Sequence, residues 1–355
     1  MKNIPTPETI TAEWLTARLR EAGHGEAQVR GFTQQRFGTG QVGKCIRFEL
    51  DLAAGGVEVP RSLVGKFPSD NEVSREGAVA LRIYSREVMF YRELAPRVSI
   101  AIPRCYYADI IDEGPEFLIL MEDLHPAEQG DQLSGCSVEV ARTAVLELVG
   151  LQAPTWCDKG LEEQLAEPPD GFFADMHARY NEMLPGFLDR YASRLAADEV
   201  DIIARMGESR SCPVYQPTGT PFCLEHRDYR LDNLLIDERT TPPKVTVVDW
   251  QGLKVGRPLN DVALCIAGGL DPRERAKVEQ DIVRDYHTAL LQAGIKGFDW
   301  PACWHEYRRS AFAGFGLTII SAMVVEQTAR GDDMFVAMAH RYARHALDLG
   351  ADKFL

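Results

Sequence analysis

Within CLEHRDYRLDNLLID, residues 223 to 237, His226, Asp228 and Asn233 stand in the spacing His-x-Asp-x-x-x-x-Asn. Asp249, in VVDWQ, follows sixteen residues after Asn233. Phosphoryl transfer needs this set of residue types. A phosphate in transit carries several negative charges, so Mg2+ must be held against them. The Asn233 amide and the Asp249 carboxylate supply two oxygen ligands and leave room for water and phosphate oxygens. A separate carboxylate, Asp228, faces the incoming hydroxyl and accepts its proton as the new bond forms. His226 reads as a brace of the loop by hydrogen bonding rather than as a base. For a lone His-x-Asp, a polar turn with solvated charges would be the plainer reading. The full set, flanked by apolar runs, argues for chemistry.

Three further features fit the same reaction. In RFGTGQVGKCIRF, Gly38, Gly40 and Gly43 form Gly-x-Gly-x-x-Gly. A dinucleotide fold needs a helix directly after such glycines, whereas here a strand pattern follows. A glycine loop between antiparallel strands is instead a flap whose backbone approaches nucleotide phosphates. Lys66, in SLVGKFP, sits among apolar strand neighbours, where a cation is costly unless paired. The following helix offers Glu72, Glu76 and Glu87; Glu87 shares a face with Ile83 and Phe90 and is the expected partner, with Glu76 the alternative. The pair would orient Lys66 toward the α and β phosphates. In FLILMEDLHP the Glu122 carbonyl and the Leu124 amide are positioned to read an adenine edge, by place in the chain alone.

The elements that must hold these residues fall into two kinds. TAEWLTARLREAGHG reads as an amphipathic helix with Thr11 as N-cap and Gly23 past its end. Period-2 runs follow in QVRGFTQQRF, KCIRFELDLA and RSLVGKF, then a long helix over 71–94, then strands in IAIPRCYYADII and FLILME. From about 136 the pattern is helical: 137–152, 171–195, 196–206, 260–267, 273–293, 302–327 and 332–350. The short strands LLID and KVTVVDW interrupt it around an ERTTPP turn. The expected fold class is α+β: residues 1–122 as a small antiparallel sheet lobe with one helix, and 123–355 as a larger, mainly helical lobe, in a protein-kinase-like bilobal arrangement. Ligand sites favour such junctions.

The totals agree. At 355 residues the chain is long enough for two cores. It is 45% hydrophobic and 26% charged, as ordinary globular proteins are. A net charge of −14 with no basic block argues against nucleic acid or an anionic membrane as partner. Eight scattered cysteines without CxxC read as reduced structural thiols rather than a disulfide or zinc framework. MKNIPTPETI lacks the apolar core of a signal peptide, so a cytoplasmic setting is expected. The longest apolar run, AFAGFGLTIISAMVV, is too short for a membrane span and reads as a core helix.

Taken together, SREVMFYREL, LILMEDL, HRDYRLDN and VVDWQGLKVGRPLNDVA resemble the aminoglycoside phosphotransferase and choline kinase superfamily, and within it are most similar to ecdysteroid-kinase-like small-molecule phosphotransferases. The resemblance covers roughly residues 30 to 350. It implies Asp228 as base, Asn233 and Asp249 as magnesium ligands, Lys66 as phosphate-binding lysine, and Asp261 as a structural aspartate buttressing the catalytic loop. It departs from protein kinases where Trp-Gln follows Asp249 in place of Phe-Gly, where only eleven positions separate Asp249 from Asn260, and where no Ala-Pro-Glu follows. A peptide-docking segment needs more chain. Arg227 and Arg230 replace the small-molecule kinases' common His-Gly-Asp pattern with a more protein-kinase-like one. Arg230 either contacts the transferring phosphoryl group or forms a salt bridge.

The expected activity is ATP- and Mg2+-dependent transfer of a phosphoryl group to a hydroxyl of a small molecule. A catalytically silent nucleotide-binding protein is the alternative of another class; it predicts loss of Asp228, Asn233 or Asp249, and all three are present. The acceptor is expected against 171–195 and 302–340, where Phe172, Phe173, Met176, Tyr180, Trp304, Tyr307, Phe312, Phe315 and Phe335 are candidates, although such aromatics are more often core. No acidic cluster demands a polycation, so an apolar or steroid-like alcohol is preferred over an aminoglycoside, another antibiotic or an amino alcohol of the choline type.

Overall fold

Thr11 accepts a hydrogen bond from the Trp14 amide, and this cap opens α1 (Ala12–Glu21), which buries Leu15 and Leu19. The computed structural model describes residues 3–38, 42–53, 59–166, 175–219 and 221–355. The chain divides into two compact units, the first formed by Met1–Arg97, Ile102–Pro126 and Val248–Gly252.

In this first unit β1 (Val29–Phe37), β2 (Gly43–Leu52), β3 (Ser62–Pro68), β4 (Cys105–Ile110) and β5 (Phe117–Glu122) form one antiparallel sheet in the order β1-β2-β3-β5-β4. Alternation along β2 and β3 sends Phe48, Leu63 and Phe67 into a core with Leu15, Leu19, Leu118 and Leu120. Each such side chain contributes about 1.5–3 kcal/mol when fully buried. The register places Lys66 between Cys45 of β2 and Ile119 of β5.

The single helix expected over 71–94 is broken. Asn71 caps α2 (Glu72–Ala80), Leu81 ends it, and Arg82 takes a left-handed backbone at φ 55° before α3 (Ile83–Met89) begins. The chain then widens into a π-helical turn, Phe90–Leu94. Hydrophobic periodicity runs through both helices because α3 resumes the pattern after the turn, so spacing alone hides the break.

The second unit comprises Val98–Ala101, Ala127–Val247 and Leu253–Leu355. It opens with β6 (Glu128–Gln129), α4 (Val138–Gln152), α5 (Lys159–Gln164), α6 (Met176–Tyr191) and α7 (Ala197–Glu208). Then come β7 (Cys223–Glu225), β8 (Leu234–Asp237), β9 (Lys244–Val247) and β10 (Lys254–Gly256). It closes with α8 (Leu259–Gly269), α9 (Pro272–Gln292), α10 (Trp300–Arg309), α11 (Ala313–Val324) and α12 (Ala329–Asp348). Two small antiparallel sheets, β6-β8-β9 and β10-β7, hold the polar loop of residues 226–233 between them in sequence. The helix expected over 302–327 is two, α10 and α11, separated by a 3-10 turn at Ser310–Phe312. Among the described residues no helix is long and apolar enough to cross a membrane.

Candidate active site

In the first unit the chemistry gathers around Lys66. Its Nζ lies 2.7 Å from Glu87 Oε2 and 2.8 Å from Asp249 Oδ1. Glu87 of α3, rather than the exposed Glu76 of α2, is therefore its helix partner. Burial by itself would favour the neutral amine, but the Asp249 and Glu87 carboxylates outweigh it and hold Lys66 charged, its pKa raised well above the ordinary value. Burial pushes the Glu87 carboxyl up, against the pull of Lys66.

Asp249 takes a left-handed backbone, φ 69°, which few non-glycine residues adopt and which Asp tolerates better than most. Its Oδ2 accepts from Gln251 Nε2 at 3.2 Å. The neighbouring Trp250 is fully buried and stacks on Phe90. Gly43 lies close to this lysine: a Cβ there would come 3.4 Å from Lys66 Cε and 3.1 Å from the Phe67 carbonyl oxygen. Gly38 has φ 78°, open to glycine at no cost, and Gly40 lies outside the described residues. Glu122 closes β5, its carboxylate accepting from the Arg104 amide at 3.2 Å, and Leu124 follows half-buried.

Between those two, Asp123 was missed by the sequence reading. Its carboxylate takes both Arg47 Nε (2.6 Å) and Nη2 (3.1 Å), a bidentate tie from β2 to the segment 122–125. Its His125 amide contact, at 3.1 Å, fixes the turn further. An acid beside a proposed backbone contact was the only signal in the sequence.

In the second unit the loop from His226 to Asn233 is built around Asp261 at the start of α8. Asp261 Oδ2 accepts from the His226 amide at 2.6 Å, and Oδ1 from the Arg227 amide at 2.9 Å. Asp261 is completely buried, and burial, with the nearby Glu225, pushes its carboxyl up to about 8. Arg227 sits at φ 70°, so those two amides turn toward one carboxylate. The buried His226 ring meets Tyr229 edge-on at 5.7 Å, and Tyr229 donates its hydroxyl to the Ala144 carbonyl at 2.8 Å. The chain thus reaches Asp228 as a rigid bend.

Both oxygens of Asp228 are engaged. Oδ1 accepts from Arg230 Nε at 2.8 Å, and Oδ2 from Asn233 Nδ2 at 2.9 Å. Asn233 Nδ2 also donates to the Asp228 carbonyl at 2.9 Å, so the atom it has left for a cation is the amide oxygen. Arg230 forms the salt bridge that was one of its two expected roles, and it pairs with Asp232 as well as Asp228. The two carboxylates outweigh the burial that opposes its charge and raise its pKa.

Of the acceptor candidates, Tyr180, Phe312, Phe315 and Phe335 are packed in the core of the second unit, and Tyr307 is fully buried with its hydroxyl on Glu279. Helical spacing puts apolar side chains inward first. Met176 and Trp304 are half-buried, while Phe172 and Phe173 lie outside the described residues.

Hard oxygen donors suit Mg2+. Among the described residues no group of three or more His, Cys, Asp or Glu side chains could hold a metal on its own. Asn233, through its amide oxygen, and Asp249, through its carboxylate, each offer one oxygen donor of the kind Mg2+ takes alongside water and phosphate.

Residues 54–303 match the family model described as the Phosphotransferase enzyme family. No curated protein matches the chain by sequence. Among solved structures the chain is similar to a candidate aminoglycoside phosphotransferase from Ralstonia eutropha JMP134, with 18% identity and a TM-score of 0.51 over 95% of this chain and 98% of that one. It is also similar to a macrolide 2'-phosphotransferase from Brachybacterium faecium, at 18% identity and a TM-score of 0.46 over 91% and 97% of the two chains. A microcompartment-associated aminopropanol kinase gives 13% and 0.48 over 96% and 98%. At such identities the likeness concerns fold, and the first of the three carries it: an α+β, protein-kinase-like fold with a small antiparallel sheet and a helical part.

Proposed function

The chain belongs to the phosphotransferase enzyme family, and we propose that its reaction is transfer of the γ-phosphoryl group of ATP to a hydroxyl of a small molecule, assisted by Mg2+. The observation that carries the proposal is the engagement of Asp228 by Arg230 and Asn233, which presents one fixed carboxylate on a rigid loop.

Asp228 takes the proton of the acceptor hydroxyl as its oxygen bonds to the γ phosphorus and the bond from that phosphorus to the β-phosphate oxygen breaks, releasing ADP. Lys66, held charged and oriented by Glu87, binds the α and β phosphates. Gly38, Gly40 and Gly43 let backbone approach the same phosphates. The Glu122 carbonyl and the Leu124 amide take the adenine edge, and the Arg47–Asp123 pair keeps that segment in place. Asn233, through its amide oxygen, and Asp249, through its carboxylate, would hold Mg2+. When bound, that ion neutralises phosphate charge. His226 braces the loop, its amide tied to Asp261.

A small acceptor is favoured over a peptide by the chain after Asp249. Residues 254–256 are already committed as β10 against β7, and α8 starts at Leu259, so no length remains for a peptide-docking segment. Within small acceptors, an apolar or steroid-like alcohol is favoured over an aminoglycoside or an amino alcohol. Met334 Sδ, an apolar thioether, lies 3.8 Å from Arg230 Nη1 beside the Asp228 loop. The eight cysteines are all free thiols, which suits a reducing cytoplasm.

ADP release over a panel of aminoglycosides, amino alcohols, macrolides, hydroxysteroids and phenols tests the reading, with Asp228→Asn as the blank. Release above the blank with hydroxysteroids or phenols supports it. Release with aminoglycosides alone overturns the acceptor class. ATP binding with no release for any class favours the catalytically silent alternative.

A further inference from the structure

Asp232 stands between Arg230 and Asn233, and the reaction above gives it no task. Its side chain is nonetheless only 15% exposed and held on both edges. Oδ2 receives Arg230 Nη1, and Oδ1 receives the Gln132 amide at 3.0 Å. Gln132 is itself fully buried and fixed on every side. Its Oε1 accepts from the Leu231 amide at 2.9 Å, its Nε2 donates to the Gly268 carbonyl at 2.8 Å, and its carbonyl accepts from Arg341 Nη1 at 2.7 Å. Gln129 Nε2 adds a bond to the Asp232 carbonyl at 2.5 Å.

A guanidinium is planar and its N–H directions are fixed, so anchoring Nη1 settles where Nε points. In this structure Nε points to Asp228 Oδ1. We propose that Asp232 is a positioning residue: anchored by Gln132, it holds the Arg230 guanidinium in the orientation that keeps the Asp228 carboxylate aimed. The inference rests on the reading of Asp228 as the base. An exposed Arg–Asp pair would matter little, but both ends here are largely withdrawn from water, with Arg230 20% and Asp228 21% exposed. A misplacement of about 1 Å at a reacting group costs on the order of a hundredfold in rate.

If Asp232 acts through Arg230, removing both costs no more than removing Arg230. The assay reads inorganic phosphate released from Mg·ATP, with water as the acceptor, in Asp232→Ala, Arg230→Met and the double variant. The expected result is a fall in kcat of about tenfold or more in each single variant, with KM for ATP within about twofold of the parent and no further fall in the double variant. A crystal structure of Asp232→Ala is the second arm and decides the point even where water is a slow acceptor; there Arg230 Nε is expected beyond about 4 Å from Asp228. Losses that multiply in the double variant, or an Arg230 unmoved once Asp232 is gone, overturn the inference. Asp228→Asn is run beside them. Hydrolysis at the parental rate in that variant removes the base assignment, a failure distinct from that of Asp232.

Discussion

The rings of Phe90 and Trp250 stack face to face, their centroids 3.8 Å apart and their planes 8° from parallel. Phe90 follows directly on α3, which carries Glu87, and Trp250 follows directly on Asp249. The stack therefore links the two segments that supply the carboxylate partners of Lys66. Trp250→Ala should cost about 3–5 kcal/mol, the range for emptying a large buried aromatic site. Urea unfolding monitored by circular dichroism measures it. A cost below about 1 kcal/mol would mean that the stack carries little of this unit's stability.

Lys66→Met leaves Glu87 buried without its cation. The expected penalty at neutral pH is about 3–5 kcal/mol, the cost of an uncompensated buried charge. Combining it with Glu87→Leu should recover most of that loss, since it removes the fully buried carboxylate and leaves only Asp249, which at 26% exposed can be solvated. Denaturant midpoints of the two single variants and the double variant check this, and a double variant as unstable as the sum of the singles would contradict it.

Gly65 has no room for a side chain. A Cβ there would lie 2.6 Å from the Phe67 ring and 2.9 Å from the Phe48 ring, both deep in the sheet core. Gly65→Ala is expected to destabilise by about 1–3 kcal/mol, the usual cost of overpacking. A melting temperature equal to the parent's would show that the two rings move aside freely.

His345 of α12 is completely buried, with Nε2 2.9 Å from the Tyr307 hydroxyl and 3.3 Å from Glu279 Oε2. Burial holds its pKa below the ordinary value, more than Glu279 raises it. A depressed histidine gives stability that is complete above its unfolded pKa of about 6.5 and is lost as pH falls below that, because the unfolded chain takes up the proton first. The melting temperature should therefore fall between pH 7 and 5.5 more steeply in the parent than in His345→Gln. Equal slopes would exclude His345 as a source of the acid sensitivity.

Much of this arrangement was legible in the sequence, for physical reasons that differ by residue. Asp228, Asn233 and Asp249 stand out as candidates because one chemistry needs those types at nearly fixed spacing along a short stretch of chain. Lys66 was found because a cation among apolar strand residues needs a partner, and Glu87 because helical spacing put it on the inward face. The break at Arg82 was not legible, since no glycine or proline marks it and the apolar period continues across it. Asp123, Gln132 and Asp232 were missed for another reason. Their partners lie 76, 100 and 2 residues away in sequence, at Arg47, Asp232 and Arg230, and a pairwise tie carries no periodic signal. Of the acceptor aromatics, Tyr180, Phe312, Phe315 and Phe335 are core residues, because apolar residues of a helical unit are claimed first by its own core.

The measurement closest to the central claim follows the phosphoryl group itself. The protein and its Asp228→Asn variant are incubated with Mg·ATP and the acceptor panel, nucleotide binding is confirmed for both by titration, and products are read by mass spectrometry. The account predicts a phosphorylated alcohol from the parent and at least a hundredfold less, on the order of a lost general base, from the variant. Equal amounts of the same phosphorylated product from both would contradict it.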